Sequence, residues 1–310
     1  MILDSSQIAD YQRCPMKWFL RYSLGIEKKR TDEREADREF GKRVHLFLEK
    51  YYKKEEVDLN EIWSTYFQGN EKHKTTEGGL FLCKNFPKFL ERIDSQFETI
   101  AVEIKDEVKL SDNMSVVVKL DRLVKNQDNI YIVEYKTTSS IYQGYFSRYL
   151  IDGKSTAYVN YVKEKYGQCS GIILIAGEIK YYDKPSSPLL HKNSPEIEDY
   201  SQSEIKYSKH YGEEMAYCQG YHTKYEMEII NRTKEELEDW KENCILWIND
   251  MNKSIETNSF KKGDCGGACS LFKGCEYREL CKMSKGMMFD ADILNQIYQH
   301  IENPLAYLEE

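Results

Sequence analysis

The stretch VVVKLDRLVKNQDNIYIVEYKTTS, residues 116–139, decides the fold. Both halves are rich in Val, Ile and Tyr, and Asn126-Gln127-Asp128-Asn129 between them is turn sequence. The pattern predicts a β-hairpin with strands over 114–124 and 130–137. A two- or four-residue loop centred on that turn sets Asp121 directly opposite Glu134, on one face, with Cβ atoms about 4.5–5.5 Å apart. An odd-length loop breaks this alignment. Lys136, two residues beyond Glu134, points the same way. Unpaired carboxylates at that distance repel. A hard divalent cation such as Mg²⁺ relieves the conflict, keeps several waters and bridges carboxylates to phosphate. It also acidifies a bound water and polarises a phosphodiester. Lys136 is placed to position the attacking hydroxide and stabilise charge on the phosphate. The bland alternative is a salt-bridged Asp/Glu/Lys cluster on an exposed hairpin, since E-x-K alone is common. Three charges on otherwise apolar strands favour the site.

Outward from the hairpin, helical spacing dominates the N-terminal side. Ser5 and Ser6 can cap a helix to about Tyr22. A charged helix follows, roughly Glu33 to Lys54, with Phe40, Val44, Phe47, Leu48 and Tyr51 at helical spacing. More helix is expected over 61–97, interrupted near Gly78-Gly79 and bent at Pro87. His45 lies on the charged helix, and a neutral imidazole can ligate a metal such as Mn²⁺. A lone helical histidine is more often a packing residue. Glu103, on a strand over 99–110, is a weaker candidate of the same kind.

Beyond the hairpin, helix is expected over 145–166. Gly171 to Ala176 is a short apolar run, as in a strand buried on both faces. Residues 181–220 show no period and carry Pro185, Pro188 and Pro195, and read as a loop or insertion. A strand over 225–230 precedes a helix capped by Thr233 that runs to about Lys253. A cysteine-bearing segment and a short helix follow.

With 41% hydrophobic and 31% charged residues, the chain has the composition of an ordinary soluble globular protein. Its 310 residues can bury a large core, as one domain or two. No signal peptide and no membrane span are expected, and the cytoplasm is the expected compartment. The net charge of −8 does not advertise nucleic-acid binding, but local patches decide contact. Lys28-Lys29-Arg30, Lys42-Arg43 and Lys261-Lys262 are such patches. The 24 tyrosines could offer stacking surfaces to unpaired bases, although most belong to core or surface packing.

Nine cysteines, an odd count, fit a reducing compartment better than a disulfide framework. Cys269, Cys275 and Cys281 are separated by five residues in each gap, and Cys14 lies far upstream. Four thiolates suit a [4Fe–4S] cluster or structural zinc, and spacing leaves both open. Cys265 is an alternative ligand to Cys269. A metal site drawing on Cys14 would be a clasp joining the two chain ends.

In this order, the pieces resemble the PD-(D/E)XK nuclease superfamily, and most closely its RecB-like and AddB-like iron–sulfur exonucleases of phages and the related CRISPR-adaptation nucleases. Gly41-Lys-Arg-Val-His45 matches the helical histidine motif. Asp121 matches the metal-binding aspartate, with Lys119 where glycine is common. Glu134-Tyr135-Lys136 matches E-x-K. Lys154-Ser-Thr-Ala-Tyr158 fits the position of Q-x-x-x-Y, with lysine in place of glutamine.

The resemblance implies an α/β fold with a restriction-endonuclease-like core, a central mixed β-sheet flanked by helices and the chain ends joined at an iron–sulfur cluster. It implies a single domain over 1–310. Residues 1–100 are mainly helical, 101–180 form the catalytic sheet core, 181–220 are the loop or insertion, and 221–310 hold the last strand, helix and cysteine segment. It implies a Mg²⁺- or Mn²⁺-dependent exodeoxyribonuclease acting on DNA ends or single strands in recombination, repair or phage DNA processing. Asp121, Glu134 and Lys136 would be catalytic, with His45, Asp121 and Glu134 on the metal. Cys14, Cys269, Cys275 and Cys281 would hold [4Fe–4S], and Tyr158 and Lys154 would line the DNA path. DNA is the implied partner, with recombination, repair or CRISPR-adaptation proteins. A non-catalytic iron–sulfur DNA-end-binding subunit of such a complex is the alternative, and a zinc-stabilised interaction protein a third reading.

Overall fold

The computed structural model describes residues 1–29, 32–64, 73–191, 204–210, 213–263, 269, 274–283, 291–302 and 304. β1 (Ile2–Asp4) runs straight into α1 (Ser5–Arg13). The cap is Asp4 rather than Ser5 or Ser6, and its side chain accepts the Gln7 N–H at 2.7 Å. The expected helix to Tyr22 is segmented at Cys14, which is extended (φ −164°, ψ 103°). Pro15 disfavours helical backbone in the residue before it and itself starts α2 (Pro15–Trp18), which passes into a π-turn (Phe19–Ser23).

After β2 (Ile26–Lys28), the charged helix forms as α3 (Asp32–Lys53), burying Phe40, Val44, Phe47 and Leu48. α4 (Leu59–Ser64) and α5 (Thr76–Asp94) pack against it. Gly78-Gly79 and Pro87 lie within α5 and do not end it. A Cβ on Gly79 would come within 2.2 Å of the Trp63 ring, so this glycine is set by helix–helix approach.

Seven strands form a mixed sheet. β3 (Glu98–Ser111) and β4 (Met114–Asn126) are antiparallel. The other edge of β4 is shared: β1 pairs in parallel with 115–117, and β5 (Asn129–Thr138) pairs antiparallel with 122–126. A 3-10 turn (Tyr145–Tyr149) and α6 (Gly153–Tyr166), capped by Asp152, cross over to β6 (Gly171–His191), which lies parallel to β5. The apolar run in β6 serves two cores. Ile172, Leu174 and Ala176 face one, and Ile173 and Ile175 face the other.

The expected loop over 181–220 is corrected by the structure. β6 continues to His191, β7 (Glu204–His210) follows, and β8 (Glu213–Ile230) pairs antiparallel with both. The β6–β8 register shifts between Tyr182 and Ser186 and again before Leu190. Pro185 and Pro188 lie in those intervals and cannot donate to a ladder, so alternation is lost there although the strands persist. Pro195 and Cys265 lie outside the described residues.

α7 (Lys234–Glu256) starts at the expected Thr233 cap, with a reciprocal capping box to Glu236. α8 (Arg278–Lys282), α9 (Ala291–Ile297) and β9 (Tyr298–His300) follow. β9 pairs antiparallel with β2, and a third core gathers Cys14, Leu20, Tyr277, Leu280 and Tyr298. Gly25 (φ +63°) permits this join, because a Cβ there would meet the Ile301 carbonyl oxygen at 2.3 Å. Among the described residues, no helix is long and apolar enough to cross a membrane.

Candidate active site

The hairpin closes on a two-residue loop, Gln127-Asp128, with Gln127 left-handed at φ +52°. Its ladder runs from Asn126–Asn129 to Arg122–Val133, so Asp121 and Glu134 come next in line. There the side chain replaces the ladder: the Tyr135 N–H donates to Asp121 Oδ2 at 2.8 Å. The alternation of β4 also changes phase. Val116, Val118 and Leu120 face one core and Leu123 the same one, while Val124 faces the other. Strict alternation would separate Leu120 from Leu123. Across the strands, Val102–Arg122 and Ile104–Leu120 pairing puts Glu103 opposite Asp121, with Glu103 held at φ +49°.

His45 reaches in from α3, its Nδ1 3.3 Å from Asp121 Oδ1. Donor atoms of His45, Glu103 and Asp121 all lie within 4.8 Å of one another. This nitrogen–oxygen set can hold a divalent cation of the Mg²⁺ or Mn²⁺ kind. Gly41, one turn before His45, faces the Thr137 side chain. Burial pushes the Asp121 carboxyl up, but His45, Lys136 and Lys154 outweigh it and bring it down to about 2. Burial, and then Asp121, push Glu103 up to about 7. Burial disfavours the His45 cation, yet Asp121 raises its pKa overall.

Glu134 forms the second half of the site. Its Oε2 lies 2.6 Å from Lys136 Nζ and 3.6 Å from Lys154 Nζ. Its Oε1 is buried with no hydrogen-bond partner among the described residues. Lys154 Nζ sits 5.1 Å from the Tyr158 ring centroid, and the Tyr158 hydroxyl donates to the Lys119 carbonyl. The structure thus gathers His45, Asp121, Glu134, Lys136, Lys154 and Tyr158, in two adjoining groups. Glu103, ranked low from sequence, sits within the first group.

Of these residues, His45, Glu103, Asp121, Lys154 and Tyr158 border a cleft of 690 Å³, whose walls also include Arg38, Lys42, Lys105 and Lys119. Only Lys42 among the wall cations stood out as part of a basic patch. Lys105 and Lys119 are direct cross-strand partners. Like charges so placed destabilise a sheet, and two lysines separated by a turn in an antiparallel pair are the signal that could have found them.

The four candidate cysteines line a separate cavity of 290 Å³, together with Lys17, Lys262 and Arg278. Cys14 Sγ accepts the Gly263 N–H at 3.1 Å. Burial, then Cys14 and Cys275, push the Cys281 thiol up to about 11. Four sulfurs lining one cavity are donors of the soft-metal kind.

The chain matches the model of the PD-(D/E)XK nuclease superfamily over residues 5–282, and it belongs to that superfamily. It is similar to the crystal structure of a protein named "Putative exonuclease" from Eubacterium rectale, with 9% identity, TM-score 0.44, and coverage of 85% of this chain and 84% of that one. No protein with a curated description matches.

Proposed function

We propose that the chain is a single-domain, metal-dependent deoxyribonuclease, an exonuclease that hydrolyses phosphodiester bonds at DNA ends or single strands. One observation carries the reading: Asp121, next beyond the Arg122–Val133 pair of the hairpin, meets His45 and Glu103 in one donor set within 4.8 Å, in a cleft that Lys105, Lys119 and Lys154 also line. Bound phosphate would offset the repulsion between Lys105 and Lys119. The buried Glu134 Oε1, without a hydrogen-bond partner among the described residues, is the kind of atom a cation ligand turns to its metal.

His45, Asp121 and Glu134 would hold Mg²⁺ or Mn²⁺, with Glu103 as a further ligand. The cation would supply charge against the phosphodiester and acidify a water. Lys136, fixed on Glu134, would orient the attacking oxygen and donate to the phosphate. Oxygen bonds to phosphorus, the bond to the leaving oxygen breaks, and that oxygen takes a proton. Lys154 and Tyr158 would line the DNA path, Lys154 serving as a phosphate contact where the superfamily motif has glutamine.

We further propose a [4Fe–4S] cluster on Cys14, Cys269, Cys275 and Cys281, holding the chain ends together as in RecB-like and AddB-like nucleases. The four cysteines line one cavity, and four thiolates are the ligand set of such a cluster. Work in recombination, repair, phage DNA processing or CRISPR adaptation, in the cytoplasm, follows from that kinship.

Products mapped from 5′- and 3′-labelled single and double strands test the activity. Short products released from an end with Mn²⁺, and none with chelator, are expected; intact DNA under all metal conditions overturns the reading. Iron and sulfide at about four each per chain test the cluster, and a colourless zinc protein rejects it.

A further inference from the structure

A second groove, of 550 Å³, opens beside the cleft and shares Ser5 and Lys154 with it. The two differ in chemistry. The cleft carries five cations, Arg38, Lys42, Lys105, Lys119 and Lys154, beside the carboxylates of Asp4, Glu49, Glu103 and Asp121, whereas apolar side chains of Ile8, Leu150, Ile151, Trp240 and Trp247 line the groove. Ile151 is 91% exposed and Leu150 47%, an apolar pair at the mouth of the groove. The chain has four tryptophans. Trp18 and Trp63 are buried, at 5% and 1% exposure, and the two that reach solvent both line this groove. Trp240 is seated at the start of α6, where a Cβ on Gly153 would lie 3.4 Å from its Nε1.

The groove also carries Asp152, Glu236 and Asp239. Asp152 and Glu236 are occupied as helix caps. Their charge disfavours a phosphate chain in the groove but not uncharged bases. A nucleic acid strand has a charged side and an apolar, stackable side, and the adjoining surfaces match the two in turn. A duplex has already stacked its bases on one another; an unpaired strand has faces to offer.

We propose that the groove binds unpaired bases of single-stranded DNA whose backbone crosses the cleft at Lys154, with the Trp240 indole as a stacking surface and Ile151 as an apolar contact. The inference rests on the nuclease reading and names the form of its substrate. Aromatic stacking of this kind tolerates any base sequence.

Intrinsic tryptophan fluorescence tests it, because the groove holds both solvent-reaching indoles. In the Asp121→Asn protein, which leaves DNA uncut, an oligothymidylate is expected to quench the emission. An abasic strand of equal length and a blunt duplex are expected not to. Trp240→Ala should weaken oligothymidylate binding about tenfold and leave the affinity for the abasic strand unchanged. Ile151→Ser, at a side chain the fold does not use, should shift affinity in the same direction. Equal quenching by the abasic strand, or unchanged oligothymidylate affinity in both variants, overturns the proposal. A wild type that cuts DNA without this quenching defeats the groove alone. Quenching by a protein that cuts no DNA defeats the nuclease reading alone.

Discussion

Lys136 Nζ lies 2.6 Å from Glu134 on the same strand, two residues on and on the same face. Lys154 also faces Glu134, so replacing Lys136 leaves that carboxylate with a partner. Lys136→Met should therefore lower the single-turnover rate on end-labelled DNA about 10²- to 10³-fold while the protein stays folded; an unchanged rate would remove Lys136 from the chemistry. A second residue-scale effect concerns pH. Burial, then Lys180 and Lys224, lower the pKa of His222 to about 4. The unfolded chain, with a histidine pKa of about 6.5, binds that proton more readily. The neutral-histidine contribution to stability is complete above about pH 6.5 and is lost as pH falls toward 4. Chemical denaturation at stepped pH should show the decline, and His222→Gln should flatten it. Asp121, Glu134 and Lys136 were legible in the sequence because a two-residue hairpin loop fixes its own register. Glu103 was legible only as a weaker candidate, since its place depends on the β3–β4 register and on a left-handed backbone that a glutamate rarely adopts.

Behind the hairpin strands, Arg122 ties the elements together. It is 2% exposed. Its guanidinium donates to Asp94 at 2.7 Å and to Thr99 Oγ1 at 2.7 and 3.0 Å, and lies 3.7 Å from the Tyr52 ring centroid. These partners come from α3, α5 and β3, and Arg122 itself adjoins Asp121 on β4. Removing one member of a buried ion pair costs about 3–5 kcal/mol, and the partly exposed Asp94 places Arg122→Met near the lower figure. Thermal and denaturant melts check this; a stability within about 0.5 kcal/mol of wild type would show the network to be incidental. At this scale, the helices and hairpin strands were readable from their periods. The β6–β8 extension was hidden by Pro185 and Pro188, and the three-residue β2 and β9 are too short to show any period.

Across the whole molecule, the net charge of −8 hides five cations gathered on one cleft beside Asp4, Glu49, Glu103 and Asp121. Arg38 and Lys42 come from α3, Lys105 from β3, Lys119 from β4 and Lys154 from α6, and only the fold makes them one surface. The chain ends likewise meet through more than cysteines. β2 pairs with β9, and the Tyr277 hydroxyl donates to the Ile26 carbonyl at 2.5 Å. Under the cluster assignment, Cys275→Ser should strip iron and lower the thermal midpoint, with cleavage lost as a consequence. A variant that is iron-free yet as stable and active as wild type would make the clasp dispensable. The central claim is that the carboxylates of the hairpin run a metal-dependent nuclease. The most direct measurement is the rate of end-labelled DNA hydrolysis with Mn²⁺ by wild type and by Asp121→Ala, with Mn²⁺ affinity measured on both. The account predicts cleavage by wild type, and loss of both cleavage and tight Mn²⁺ binding in the variant. Equal rates for the two proteins would contradict it.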